Sequence, residues 1–130
     1  MDHPRITVEQ IMRDYPDLSD FGFGVLDARR KTPKQRASEL AKNRTKMLKP
    51  RSLEQFQLAR GWLHQFAKVG KSSKLGTSDG LKHVAERDIG CVTNGMFIAA
   101  AIAEGFKIER EGDSPNPRFN ISSKAFQYSV

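Results

Sequence analysis

The stretch Met96 to Ala103 (MFIAAAIA) leaves no polar face on any helix it could form. A helix that is apolar all round has to be buried on most sides, so neighbouring elements must cover it. It is the longest apolar run in the chain and is far too short to span a bilayer. Thr93 or Asn94 can start this helix, and Gly105 can close it after Glu104.

Other helices announce themselves through starts and stops. Thr7 precedes Gln10, Thr32 precedes Gln35 and Ser52 precedes Gln55 by three residues, the spacing of a reciprocal capping box. Pro33 suits the first helical position, while Pro16, Pro50 and Gly70 read as stops. The expected helices run from about Val8 to Tyr15, Pro33 to Leu48, Leu53 to Val69, Asp79 to Asp88 and Thr93 to Glu104. Ile6 and Ile11 are placed for a hydrophobic staple on the first. The third carries Leu53, Phe56, Ala59, Leu63, Phe66 and Ala67 on one face, flanked by Trp62. After Gly105 the period changes to two: Phe106 and Ile108, then Phe119 and Ile121, alternate with polar residues around a turn-rich loop from Glu111 to Pro117. This predicts a β-hairpin. The expected fold is mainly α with a C-terminal β-hairpin and about five helices. Residues 1–51 are expected as an arm with an acidic start and a basic helix, and 52–130 as a compact helical domain.

Charge is the strongest functional signal. Ala28 to Arg51 holds ten basic side chains against Glu39 alone, a net +9, whereas the residues before it sum to −4 and those after it to +2. A focused positive field concentrates polyanions and releases their counterions on contact. The second helix has too few acids for spaced ion pairs to neutralise it. Candidate phosphate-binding residues are Arg29, Arg30, Lys31, Lys34, Arg36, Lys42, Arg44 and Lys46. Lys71, Lys74, Lys82 and Arg118 extend that footprint, and Asn94 marks a helix start where backbone N–H groups could meet an anion. Two alternatives stand beside this one. The run can be a solvated face, or Asp14, Asp17, Asp20 and Asp27 can fold back onto it.

Catalytic signals are thin. His83 and Glu86 lie three apart, but with His64 and the single Cys91 they make no recognisable zinc spacing, and a buried, inert thiol is the expected state of Cys91. Gly22-Phe23-Gly24 lacks the spacing and the following Lys-Ser/Thr of a nucleotide loop. Neither an enzyme nor a cofactor or metal is expected. One cysteine forbids an intrachain disulfide. No apolar run follows a basic start, so no signal peptide is expected, and the chain reads as cytoplasmic with no membrane partner.

The order helix, tight turn, helix, hairpin over about Thr77 to Ser122 resembles a winged helix-turn-helix. In that arrangement the second helix reads bases, yet the apolar run supplies only Asn94 and Glu104 for the task, so direct readout there is not expected. Thr77 to Glu86 (TSDGLKHVAE) followed by Thr93 to Ile102 (TNGMFIAAAI) resembles segments of small uncharacterised proteins of bacterial phages and plasmids. The resemblance implies a mobile-element context, in which short basic proteins bind nucleic acid or block a host nucleic-acid enzyme. The expected function is non-enzymatic binding of DNA or RNA through phosphate contacts of the basic helix. The alternative is a protein–protein interaction factor inhibiting a host nucleic-acid-processing or defence complex.

Overall fold

The computed structural model describes residues 3–71 and 76–129, with side chains to residue 126. Five helices are present: α1 (Pro4–Asp14), α2 (Pro33–Lys46), α3 (Pro50–His64), α4 (Ser78–Ile89) and α5 (Asn94–Ala103). β1 (Leu18–Ser19) pairs antiparallel with β2 (Gly22–Phe23), and β3 (Ile108–Glu109) with β4 (Arg118–Phe119). Short 3₁₀ turns occupy Ala28–Arg30 and Ser123–Ser129. The mainly α fold with a C-terminal hairpin follows the sequence pattern.

Helix α5 lies at the centre. Met96 to Ala101 are fully buried, and α1, α3, α4 and β2 all touch it. Phe56, Ala59 and Leu63 of α3 join it on one side, and Leu81 and Ala85 of α4 on another. Phe97 sits between Trp62 and Phe119, with ring centroids 6.3 and 6.2 Å away. Val8, Ile11 and Met12 of α1, with Leu18 and Phe23, belong to this same core. The N-terminal third therefore divides differently from the expected arm: α1 and the first hairpin are core elements, while α2 and the 3₁₀ turn before it contribute no buried residue.

Each helix start has a local cause. Thr32 caps α2 with the full reciprocal box: its hydroxyl accepts from Gln35 N at 3.1 Å, and Gln35 Oε1 accepts from Thr32 N at 2.8 Å. Thr93 caps α5 by accepting from Met96 N. The other two boxes do not form, because a proline upstream takes the first helical position. Pro4 begins α1 after His3, and Pro50 begins α3 after Lys49 instead of only ending α2. Ser52 Oγ then donates to Lys46 O, and Gln55 Oε1 accepts from Thr93 N. Helix α3 stops at His64 because the chain turns to pair with the C-terminal hairpin: Val69 N donates to Asn120 O, and Lys68 bridges Ile121. Ile6 is 65% exposed and forms no staple.

The first hairpin locks onto the start of α5. A Cβ on Gly95 would lie 1.8 Å from Ser19 O, so only glycine permits this approach. Gly95 N donates to Asp20 O at 3.0 Å. Gly22 holds φ +123°, and a Cβ there would meet Pro115 O at 2.5 Å.

Candidate nucleic-acid interface

Helix α2 sorts its cations by type. At 3.6 residues per turn, Arg36, Leu40, Arg44 and Met47 share the side that faces the body, and Lys34, Ser38 and Lys42 share the opposite side. Met47 is fully buried. Arg44 reaches into the body, where Nη1 donates to Tyr15 O at 3.0 Å and Leu18 O at 2.7 Å, and Nη2 to Met12 O at 2.7 Å. Burial lowers the Arg44 pKa from its ordinary value, while the charge of Asp17 opposes that shift. Arg36 Nη1 donates to Ala28 O and Lys31 O at 3.1 and 2.6 Å, folding the preceding turn onto the helix. A planar fork of donors suits clustered carbonyls better than an ammonium does. Both arginines thus hold the helix in place, a different task from the phosphate contact expected of them.

Two of the three lysines of the helix, Lys34 and Lys42, face outward. Among the described residues, the exposed side chains of Lys34 and Lys42 have no partner, and the same holds for Arg30, Lys49 and Arg51 around the helix. Lys46 is half-buried and lies near Asp20. Burial raises the Asp20 pKa, and the Lys46 charge opposes that. Lys31 is spent internally: Nζ stands 2.7 Å from Glu39 Oε2 and also donates to Leu26 O. Arg29 meets Asp113 at 3.4 Å with both side chains 90% exposed, a contact worth little in water.

The N-terminal aspartates do not mask this surface. Asp17 pairs with Arg110 at 2.7 Å, and that guanidinium lies 4.0 Å from the Phe23 ring centroid. Among the described residues, no ion pair joins Asp14, Asp17, Asp20 or Asp27 to Arg30, Lys34, Lys42, Lys49 or Arg51.

The wider footprint divides. Lys71 is exposed on the segment beside the C-terminal hairpin, and Lys74 lies outside the described residues. Arg118 pairs with Glu111. Lys82 pairs with Glu86 at 3.2 Å, beside His83, which stands 3.1 Å from Glu86 and 3.5 Å from Asp79. Burial pushes the Glu86 carboxyl up, but donation from Val92 N and Lys82 outweighs it and the pKa falls. Asn94 is buried and fully engaged. It accepts from Ser78 Oγ and donates to Phe21 O and Asn116 Oδ1, so it ties three segments together and is closed to an anion. Cys91 is exposed rather than buried, because it falls in the short turn between α4 and α5.

Two exposed cations, Lys49 and Arg51, complete the surface although neither was singled out from the basic run. Their signal was Pro50, which reads as a helix stop but here starts α3 and leaves both flanking side chains in solvent. Among the described residues no helix is long and apolar enough to cross a membrane. No family model, curated protein or solved structure matches this chain.

Proposed function

We propose that this protein binds nucleic acid without transforming it, through phosphate contacts made by the outer side of α2 and the turns at its two ends. The observation that carries the reading is the sorting of charge on α2: its arginines are consumed by backbone carbonyls, while Lys34 and Lys42 stand exposed without partners among the described residues. These two lysines lie on the side of α2 away from the body, and α2 has no fully buried residue. Arg30 before the helix, and Lys49 and Arg51 after it, are exposed cations as well.

The test is titration of labelled duplex DNA, single-stranded DNA and RNA at two salt concentrations. Affinity should fall steeply with salt. The double change Lys34→Ala and Lys42→Ala should weaken binding to every sequence and reduce the salt slope by about two, roughly one for each phosphate contact removed. Binding that ignores both salt and these changes would refute the proposal. A partner that co-purifies after complete nuclease digestion would instead support the reading in which the same face meets an acidic protein surface.

A further inference from the structure

Base reading was denied to α5 for want of polar side chains, and its burial closes it to any ligand. Helix α2 has the opposite character. Resting on the nucleic-acid reading above, we infer that α2 enters the major groove of duplex DNA and reads base edges, so that binding discriminates between sequences.

The first support is shape. Ala37, Ser38, Ala41, Lys42 and Thr45 are all exposed and, at about 100° per residue, span an open arc of about 140° on the outer side of the helix. The major groove, about 12 Å wide, admits a single helix. Four of those five side chains are small, which lets the helix axis come close to the groove floor. An exposed phosphate clamp needs no such thin crest.

The second support is chemical. Among the described residues, neither the Ser38 hydroxyl nor the half-buried amide of Asn43 on the flank has a hydrogen-bond partner. These groups suit base edges, the amide for adenine N6 and N7 and the hydroxyl for either purine, while Lys42 stays with the phosphates. The alanine methyls fit the thymine methyl. Glu39 on the same flank is held by Lys31, so it presents no unpaired carboxylate to the backbone.

The third support is span. Lys34 and Lys46 stand near opposite ends of the helix, about 18 Å apart at 1.5 Å per residue. That exceeds the groove width, so a helix crossing the groove sets one lysine near each phosphate backbone. Arg36 and Arg44 tether the helix from behind, which leaves its outer side free to meet the groove. An A-form duplex hides its major groove in a deep, narrow slot, which selects DNA over RNA.

The experiment enriches duplexes from a random pool on the wild-type protein, then measures affinity for enriched and random duplexes by anisotropy. The wild type should prefer the enriched duplex. The double change Ser38→Ala and Asn43→Ala should reduce that preference by roughly tenfold or more while leaving random-duplex affinity and its salt slope unchanged. Ser38→Ala alone repeats the test at an exposed position whose side chain makes no hydrogen bond among the described residues, with an unchanged melting temperature as the folding control. Lys34→Ala should weaken all duplexes evenly. Salt-dependent binding with no enrichment overturns the base-reading inference and leaves the phosphate-binding proposal standing. Equal loss of affinity for both duplexes in the double variant overturns it as well. No binding to any nucleic acid overturns both.

Discussion

The guanidinium of Arg44 closes the C-terminal end of the first helix, with Nη2 2.7 Å from the carbonyl oxygen of Met12. The last carbonyls of a helix lack intrahelical partners and carry partial negative charge, so a cation placed there is favoured. The same group also satisfies Tyr15 O and Leu18 O. One side chain of the basic run thus joins α2 to α1 and to the first hairpin.

Replacing Arg44 by alanine takes the charged donor from all three acceptors, of which Tyr15 O keeps Leu18 N, and loosens α2 from the body. A hydrogen bond to a charged group contributes about 1.5–3 kcal/mol. Arg44→Ala should cost about 2–3 kcal/mol, seen as a clear drop in the urea midpoint with little change in slope. Arg44→Lys should recover only part of the loss, because an ammonium cannot span the three carbonyls as a planar fork does. Lys42→Ala, with nothing to strand, should leave the midpoint unchanged.

The contact between the first hairpin and α5 rests on the missing side chain of Gly95. Its Cβ would sit 1.8 Å from Ser19 O and 2.6 Å from Ser19 C, and both are backbone atoms that cannot rotate away. Gly95→Ala should therefore destabilise the protein by about 2–3 kcal/mol, even though alanine is the better helix former. Circular dichroism melting of this variant beside Gly61→Ala, at a helical glycine whose Cβ would meet nothing within 4 Å, separates steric overlap from propensity. The Gly61 variant should match or exceed the parent.

Glu104, just beyond α5, ties that helix to α3. Burial pushes its carboxyl pKa up, but Arg60 Nε and His64 Nδ1, each 2.8 Å away, overcome this and hold it below the ordinary glutamate range. A carboxylate whose folded pKa lies below its unfolded pKa adds stability that is complete above the unfolded value, near 4.3, and drains as pH falls through the folded one. Acid titration of the urea midpoint should show this loss in the wild type, and Glu104→Gln should be less stable at neutral pH with a shallower acid decline. The variant curves should converge toward the wild type at the acid end.

The sequence revealed what periodicity and local chemistry encode. The apolar run from Met96 to Ala103 could only be a buried helix, and the alternation around Ile108 and Phe119 could only be a hairpin. The Thr32–Gln35 box formed because nothing upstream offered a better start. The boxes at Thr7 and Ser52 failed because prolines at 4 and 50 took the first helical position. The first hairpin was hidden, since two-residue strands carry no period and its register depends on Gly95, far away in sequence. The charge of the basic run was legible, but its division was not. Whether a cation faces solvent or a carbonyl is decided by tertiary neighbours, as when Tyr15 O and Leu18 O capture Arg44. A helical wheel already places Arg36 and Arg44 beside Leu40 and Met47, which is the one sequence signal that would have separated them from Lys34 and Lys42.

The uneven attachment of the helices has a kinetic consequence. Helix α2 contributes no buried residue, while α5 is buried from Asn94 to Ala101. Local opening follows the amount of buried contact that must be broken, so α2 should open at low free-energy cost and α5 only on global unfolding. Hydrogen exchange should label the α2 amides in the earliest fraction and the α5 amides last. Arg44→Ala should accelerate exchange in α2 far more than in α5. Addition of duplex DNA at low salt should slow exchange in α2 selectively, because a helix seated in a groove cannot open without leaving it. Protection that spreads evenly over α3, α4 and α5 while α2 stays fast would place the contact on another face of the protein.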